Sequence, residues 1–140
     1  MSYLLDTNVV SEMRKMRSGK ADPRVVAWLG GVDKSELFIS VVTLAELEFG
    51  TRRMERQDAA QGALLRSWME GFVLRVFARQ ILLVTEDIAL CCGQLHVPSP
   101  RPWRDAFIAA AALVHKLPVV TRNVEDFERM DVTVINPWAG

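Results

Sequence analysis

Short apolar runs alternate along this chain with longer stretches of helical spacing. Five runs read as strands: Tyr3–Leu5, Leu37–Ser40, Ile81–Val84, Pro118–Val120 and Val132–Ile135. Between them, apolar residues recur every three or four positions, predicting helices over Thr7–Lys15, Thr43–Met54, Asp58–Phe77, Glu86–Leu95 and Trp103–Lys116, with a helical turn over Asn123–Arg129. Pro23 suits the first turn of a further helix that ends near Gly30-Gly31. Ser18–Pro23 and the stiff VPSPRP segment, Val97–Pro102, read as loops. The helix predicted over Trp103–Lys116 is apolar nearly all round, which places it centrally. Strands alternating with helices predict crossover units and a parallel sheet. In such a sheet the strand-to-helix junctions open at one edge, where ligands bind near the point at which strand order reverses. No repeat or linker divides residues 1–140, so one domain is expected.

Composition narrows this picture only slightly. A chain of 140 residues, half of them hydrophobic, can bury a core without covalent or metal staples. Formal net charge is zero, so nothing draws the whole molecule to nucleic acid or to an anionic membrane. Two basic clusters, Arg14 to Lys20 and Arg52, Arg53 and Arg56, read first as solvated faces, although Arg14, Lys15 and Arg17 could follow a phosphate backbone. Cys91 and Cys92 are adjacent and fit neither a disulfide framework nor a zinc site. The opening Met1-Ser2-Tyr3 lacks a signal-peptide pattern, and the longest apolar run, Ala106–Val114, is too short to span a bilayer. A cytoplasmic setting with no membrane partner is expected.

The chemistry concentrates at the predicted helix starts. Asp6 follows the first strand, Glu46 lies just past the second, Asp105 is in RPWRDAFIAA and Asp126 in VVTRNVEDF. Each has a purely structural reading. Asp6 can cap a helix, Thr43-Leu44-Ala45-Glu46 matches a capping box, and Asp105 and Asp126 suit first helical turns. Jointly those readings weaken. In a parallel sheet the four acids gather at one edge, and carboxylates within ~6 Å raise one another's pKa. A hard divalent cation resolves that conflict, and an oxygen-only donor set suits magnesium or manganese. His96 and His115 sit apart in sequence from these junctions. Glu48 lies about 200° round the helix from Glu46 and cannot share its direction. Glu86 and Asp87 compete if their strand is central, and Glu125 competes with Asp126.

LLDTNVVSE, the isolated glutamate of TLAELEFG, DAFIAAAALVHK and VVTRNVEDF resemble, in order, the successive motifs of PIN domains. The similarity is strongest to VapC-type toxins of type II toxin–antitoxin pairs, including the FitB-like branch, whose ending VINPW, Val134–Trp138, also fits. The resemblance covers nearly the whole chain. It implies a three-layer α/β/α PIN-like domain with a mostly parallel five-stranded sheet. It also implies a magnesium-dependent endoribonuclease, a homodimer, neutralised by a small antitoxin protein that would bring it indirectly to operator DNA. Carried over by position, the catalytic quartet is Asp6, Glu46, Asp105 and Asp126, with Asp6 and Asp105 as central metal ligands. Asn8, Thr121 and Asn123 match supporting positions. Phe107, Ala111 and the closeness of Arg101 and Arg104 to Asp105 depart from the family pattern. These two arginines either meet substrate phosphate or draw on the carboxylate.

Two rival readings fit the sequence less well. Aspartyl-phosphate phosphatases need a second Asp where this chain has Asn8, and receiver domains need a lysine after a late strand, whereas Lys116 precedes one. A catalytically silent RNA- or protein-binding module would more easily have lost an acid, and all four are present. Leu64, Leu65, Trp68, Met69 and Phe72 form either a self-association surface or core.

Overall fold

The computed structural model describes residues 1–139. Five strands, β1 (Tyr3–Leu5), β2 (Leu37–Ser40), β3 (Ile81–Leu82), β4 (Val119–Val120) and β5 (Val134–Ile135), form one sheet in the order β3-β2-β1-β4-β5. Every pairing is parallel, so the mostly parallel expectation becomes a fully parallel sheet. The helices are α1 (Thr7–Arg14), α2 (Pro23–Gly30), α3 (Val41–Gln57), α4 (Ala59–Trp68), α5 (Leu74–Val76), α6 (Glu86–Leu95), α7 (Trp103–His115) and α8 (Val124–Glu128).

The side-chain period of two sorts each strand between two cores. Leu5 and Val120 enter one with Val9, Met13, Leu29 and Phe77, while Leu4 and Val119 enter the other with Ile88, Ile108 and Phe127. Three layers follow. Helix α7 buries Ala106 and Ile108 through Ala112, as expected of a helix apolar on most sides. Its alanines let it pack closely against α6.

Two local expectations fail for identifiable reasons. Helix α3, expected from Thr43, starts two residues earlier, because Ser40 Oγ accepts the Val42 amide at 3.0 Å and caps it. Thr43 is therefore inside the helix and buried, and the Thr43–Glu46 capping box does not form. The helix predicted over Asp58–Phe77 is broken by a π-helical turn, Met69–Val73, which turns Met69 and Val73 into the core. Asp58 does cap it, accepting from the Ala60 and Gln61 amides.

Topology positions the site. From β1 the chain moves outward to β2 and β3, then returns to the other side of β1 for β4 and β5. Strand order thus reverses between β1 and β4. Asp6 leaves the end of β1 and Thr121 the end of β4, and Thr121 Oγ1 donates to Asp6 Oδ2 at 2.7 Å across that crevice.

Candidate active site

Asp6 fills the capping role anticipated for it. It caps α1, accepting the Thr7 amide on Oδ1 at 2.8 Å. It is also fully buried, at 0% exposure, where an anion needs dedicated partners. Thr121 supplies one, and Asn8 Nδ2 reaches both Asp6 Oδ2 at 3.4 Å and Thr121 Oγ1 at 3.3 Å. These bonds hold the carboxylate in one orientation.

Glu46, freed from any capping role, points to the same centre. Thr7 Oγ1 donates to its Oε1 at 2.5 Å and shares a 3.1 Å contact with the Thr43 hydroxyl. Asp105 enters from the first turn of α7 and is 6% exposed. Burial pushes its carboxyl above the ordinary carboxylate range; the adjacent Arg104 opposes this, while Asp6, Asp126 and Glu46 add to it. Asp126 is exposed on α8 and lines a recess of about 120 Å³ together with Arg101, Pro102, Asp105, Arg129 and Met130. Glu125 does not line it. Of the two neighbours, Asp126 is the one turned toward Asp105.

Arg104 occupies the middle of this arrangement. Its Nη2 donates to Asp6 Oδ1 at 2.9 Å, its Nε to Glu46 Oε2 and its Nη1 to Asp105 Oδ1. Burial works against its charge, but Asp6, Glu46 and Asp105 together outweigh that and raise its pKa further. Sequence reading placed Arg104 beside Asp105 but gave no sign of its three-way contact. Thr7 and Thr43 were likewise missed as members of the hydrogen-bonded frame. A polar residue directly after Asp6 was the available signal for Thr7.

Other sequence candidates fall elsewhere. Glu48 points away from the site to Arg66 and Arg52. Glu86 and Asp87 are exposed at the start of α6, after β3, the sheet's edge strand. Asn123 is exposed, and its backbone amide, not its side chain, joins the frame by donating to Thr121 Oγ1 at 3.0 Å. His96 is nearer the region than its sequence position suggested. Its Nδ1 accepts the Arg101 amide at 3.0 Å and its ring lies 4.1 Å from that of Trp103. Of the proposed self-association residues, Met69 is core, whereas Trp68, Phe72 and Leu64 line an apolar groove of about 760 Å³ with Met13 and Leu29. Arg14, Arg17 and Lys34 also line that groove. Among the described residues, no helix is long and apolar enough to cross a membrane.

The donors at the sheet edge are all oxygens, two of the carboxylates are buried, and three of the four acids share one arginine in their midst. Such a set fits a hard divalent cation. Among the described residues no three acids, histidines or cysteines form a ready-made ion cage, and the Arg104 guanidinium stands among three of the carboxylates.

An all-parallel sheet with acids gathered over its switch point is the architecture of a PIN domain, and the PIN-domain family model matches residues 3–132; the chain belongs to that family. It is 34% identical over 140 residues to Toxin FitB of Neisseria gonorrhoeae, covering 96% of this chain and 97% of the relative. It is 31% identical over 140 residues to VapC ribonuclease Y4jK of Sinorhizobium fredii, covering 96% of each. The structure of FitAB bound to an IR36 DNA fragment is similar with a TM-score of 0.87 and 33% identity, over 97% of this chain and 95% of that one. A toxin–antitoxin complex from Klebsiella pneumoniae is similar with a TM-score of 0.66 and 26% identity, over 97% and 98% of the two chains.

Proposed function

We propose that this chain is the toxin of a toxin–antitoxin pair, a magnesium-dependent endoribonuclease that hydrolyses RNA phosphodiester bonds with an activated water. The observation that carries this reading is the convergence of Asp6, Glu46 and Asp105 from three separate elements onto one cation, with Asp126 facing Asp105. The names of the relatives, a toxin and a VapC ribonuclease, agree with it.

Asp6 and Asp105 are the residues to hold the ion, being the two buried acids of the cluster. Bound there, magnesium or manganese supplies Lewis-acid chemistry, polarising a phosphoryl oxygen and acidifying water. The chain's own residues do the rest. Thr121, Asn8 and the Thr7 amide hold Asp6 in place, so no reorganisation is needed as charge develops. Glu46, oriented by Thr7, and Asp126, exposed at the rim, are placed to orient the attacking water and take its proton. If water attack breaks the P–O3′ bond and the departing 3′ oxygen takes up a proton, the products are a 5′-phosphate and a 3′-hydroxyl, the outcome that the family resemblance implies.

For the partner, we assign the apolar groove to a segment of a small antitoxin that carries apolar anchors flanked by acids. Arg14, Arg17 and Lys34 at the groove favour acidic flanks and would repel each other across a self-pairing of this face. Homodimerisation through another surface and indirect operator contact through the antitoxin belong to the same proposal. Sedimentation of the chain alone, and with the product of an adjacent small reading frame, reads each in turn.

Asp6→Asn keeps the shape and removes the charge. The variant should keep its circular dichroism spectrum and lose magnesium-dependent RNA cleavage and toxicity to a growing host. Undiminished cleavage at equal magnesium would overturn the site assignment. The silent-module reading has one observation behind it, Arg104 already neutralising part of the cluster. It is supported if the wild-type chain binds RNA but leaves it intact with magnesium as with EDTA.

A further inference from the structure

Arg104 is oddly placed for a structural arginine. It lies in the first turn of α7, where the helix dipole disfavours a cation, and the Pro102 cap provides no side-chain hydrogen bond. Three of its nitrogens go to three carboxylates that come from the β1–α1 junction, α3 and α7. Only the acids justify this position.

The oxygens it takes are the ones the ion would need. Asp6 Oδ2 is committed to Thr121 and Asn8, and Glu46 Oε1 to Thr7. Asp6 Oδ1, which also accepts the Thr7 amide, Glu46 Oε2 and one Asp105 oxygen face the centre, and Arg104 holds all three. An ion cannot share them in that geometry. Yet the guanidinium is not locked in, since the Arg104 side chain is 31% exposed at the open sheet edge, in contrast to 0% for Asp6. One positive charge also leaves Asp6, Glu46, Asp105 and Asp126 with a surplus of negative charge.

We propose that Arg104 is a displaceable internal counter-cation that competes with the divalent ion for these oxygens and swings to the rim when the ion binds. The inference rests on the metal-dependent reading given above. In the ion's absence Arg104 keeps the buried acids from repelling one another apart. Once displaced, it stands beside Arg101 and Arg129 at the recess, where a phosphate backbone would pass.

The test measures manganese binding to the full chain by calorimetry, and thermal unfolding in EDTA and in manganese, with no substrate present. Arg104→Ala should bind manganese at least about tenfold more tightly than wild type, because one charge-assisted hydrogen bond is worth a factor of that size. It should unfold at a lower temperature in EDTA and gain more from manganese than wild type does. Arg104→Lys, which keeps the charge but cannot fork to three acids, should lie between the two and serves if the alanine variant folds poorly in EDTA. Arg101→Ala removes an equal charge from the recess without breaking a carboxylate contact, and should change affinity by less than about twofold. Equal manganese affinity in wild type and both Arg104 variants overturns the competition and leaves the metal-dependent reading intact. An Arg101→Ala effect as large as that of Arg104→Ala also overturns it, reducing the effect to general charge. Absence of manganese binding in all variants overturns both readings.

Discussion

Two arginines in this molecule each gather several carboxylates, and their surroundings make them opposites. Arg66 on α4 binds Glu48 at 2.7 Å and Glu55 at 3.0 Å, both from α3, and ties the two helices at their surface. Arg104 binds Asp6, Glu46 and Asp105 in the sheet crevice. At the surface cluster the hydrogen bonds from Arg66, joined by Arg52, pull Glu48 down to about 2. In the crevice, Asp105 touches an arginine yet is raised, because burial comes first and three further acids act on it. The first cluster is near charge balance with water available to every member. The second has more acids than one guanidinium can serve, and two of them, Asp6 and Asp105, are shut away from water although Arg104 is no less exposed than Arg66. A balanced cluster of solvated acids fastens a scaffold, whereas an unbalanced one with buried acids keeps an unmet demand for another cation, as the proposed metal site requires.

Helix α3 carries one member of each cluster only two residues apart, which gives the sharpest way to break the comparison. Glu46→Gln should lower magnesium-dependent RNA cleavage on the order of a hundredfold while the fold persists. Glu48→Gln should leave cleavage within about twofold and loosen only the α3–α4 contact. Single-turnover cleavage of one RNA with both variants at equal magnesium decides it. Equal losses would merge the two clusters into one electrostatic effect.

A smaller effect should come from the frame behind Asp6. Thr121→Val keeps the side-chain shape and removes the hydroxyl that donates to Asp6 Oδ2. Loss of a hydrogen bond to a buried charge costs about 1.5–3 kcal/mol, seen as a lower denaturant midpoint in EDTA. Cleavage should fall in parallel, because Asp6 loses its fixed orientation. A variant as stable as wild type would mean that Asn8 and the Thr7 amide suffice.

The contrast between the clusters also explains what the sequence could show. The crevice acids were legible because chain order did the work. A carboxylate past a strand, as for Asp6, Glu46 and Asp126, converges at one edge of a parallel sheet, whereas Asp105, which follows α6 and not a strand, was marked by the family motif. Glu48 could be set aside from helical angle alone, and it does face Arg66. Tertiary choices were not legible. Ser40 and Thr43 are both competent caps, and only the end of β2 selects Ser40, which frees Glu46 for Thr7 and Arg104. The π-helical turn at Met69–Val73 answers to core packing and leaves no local signal. Arg104 reads as one more cation near Asp105 until three distant segments meet around it.

The smallest expected effect lies in the surface cluster and is read by pH. With Glu48 near 2 in the folded chain and at its ordinary 4.5 when unfolded, its contribution is complete above 4.5. The unfolded state binds the proton first on acidification, so that contribution is lost as pH falls from 4.5 toward 2. Arg66→Ala removes the first-ranked cause of the shift, returning Glu48 toward its ordinary value. Urea midpoints of wild type and Arg66→Ala, measured in EDTA from pH 6 to 2.5, should therefore differ most at the upper end and converge as pH falls. Because both partners are solvated, the gap should be small and should shrink further in high salt. A gap that stays constant on acidification would show that Arg66 acts through packing against α3 and not through its charge, and the surface cluster would no longer be the electrostatic counterpart of the crevice.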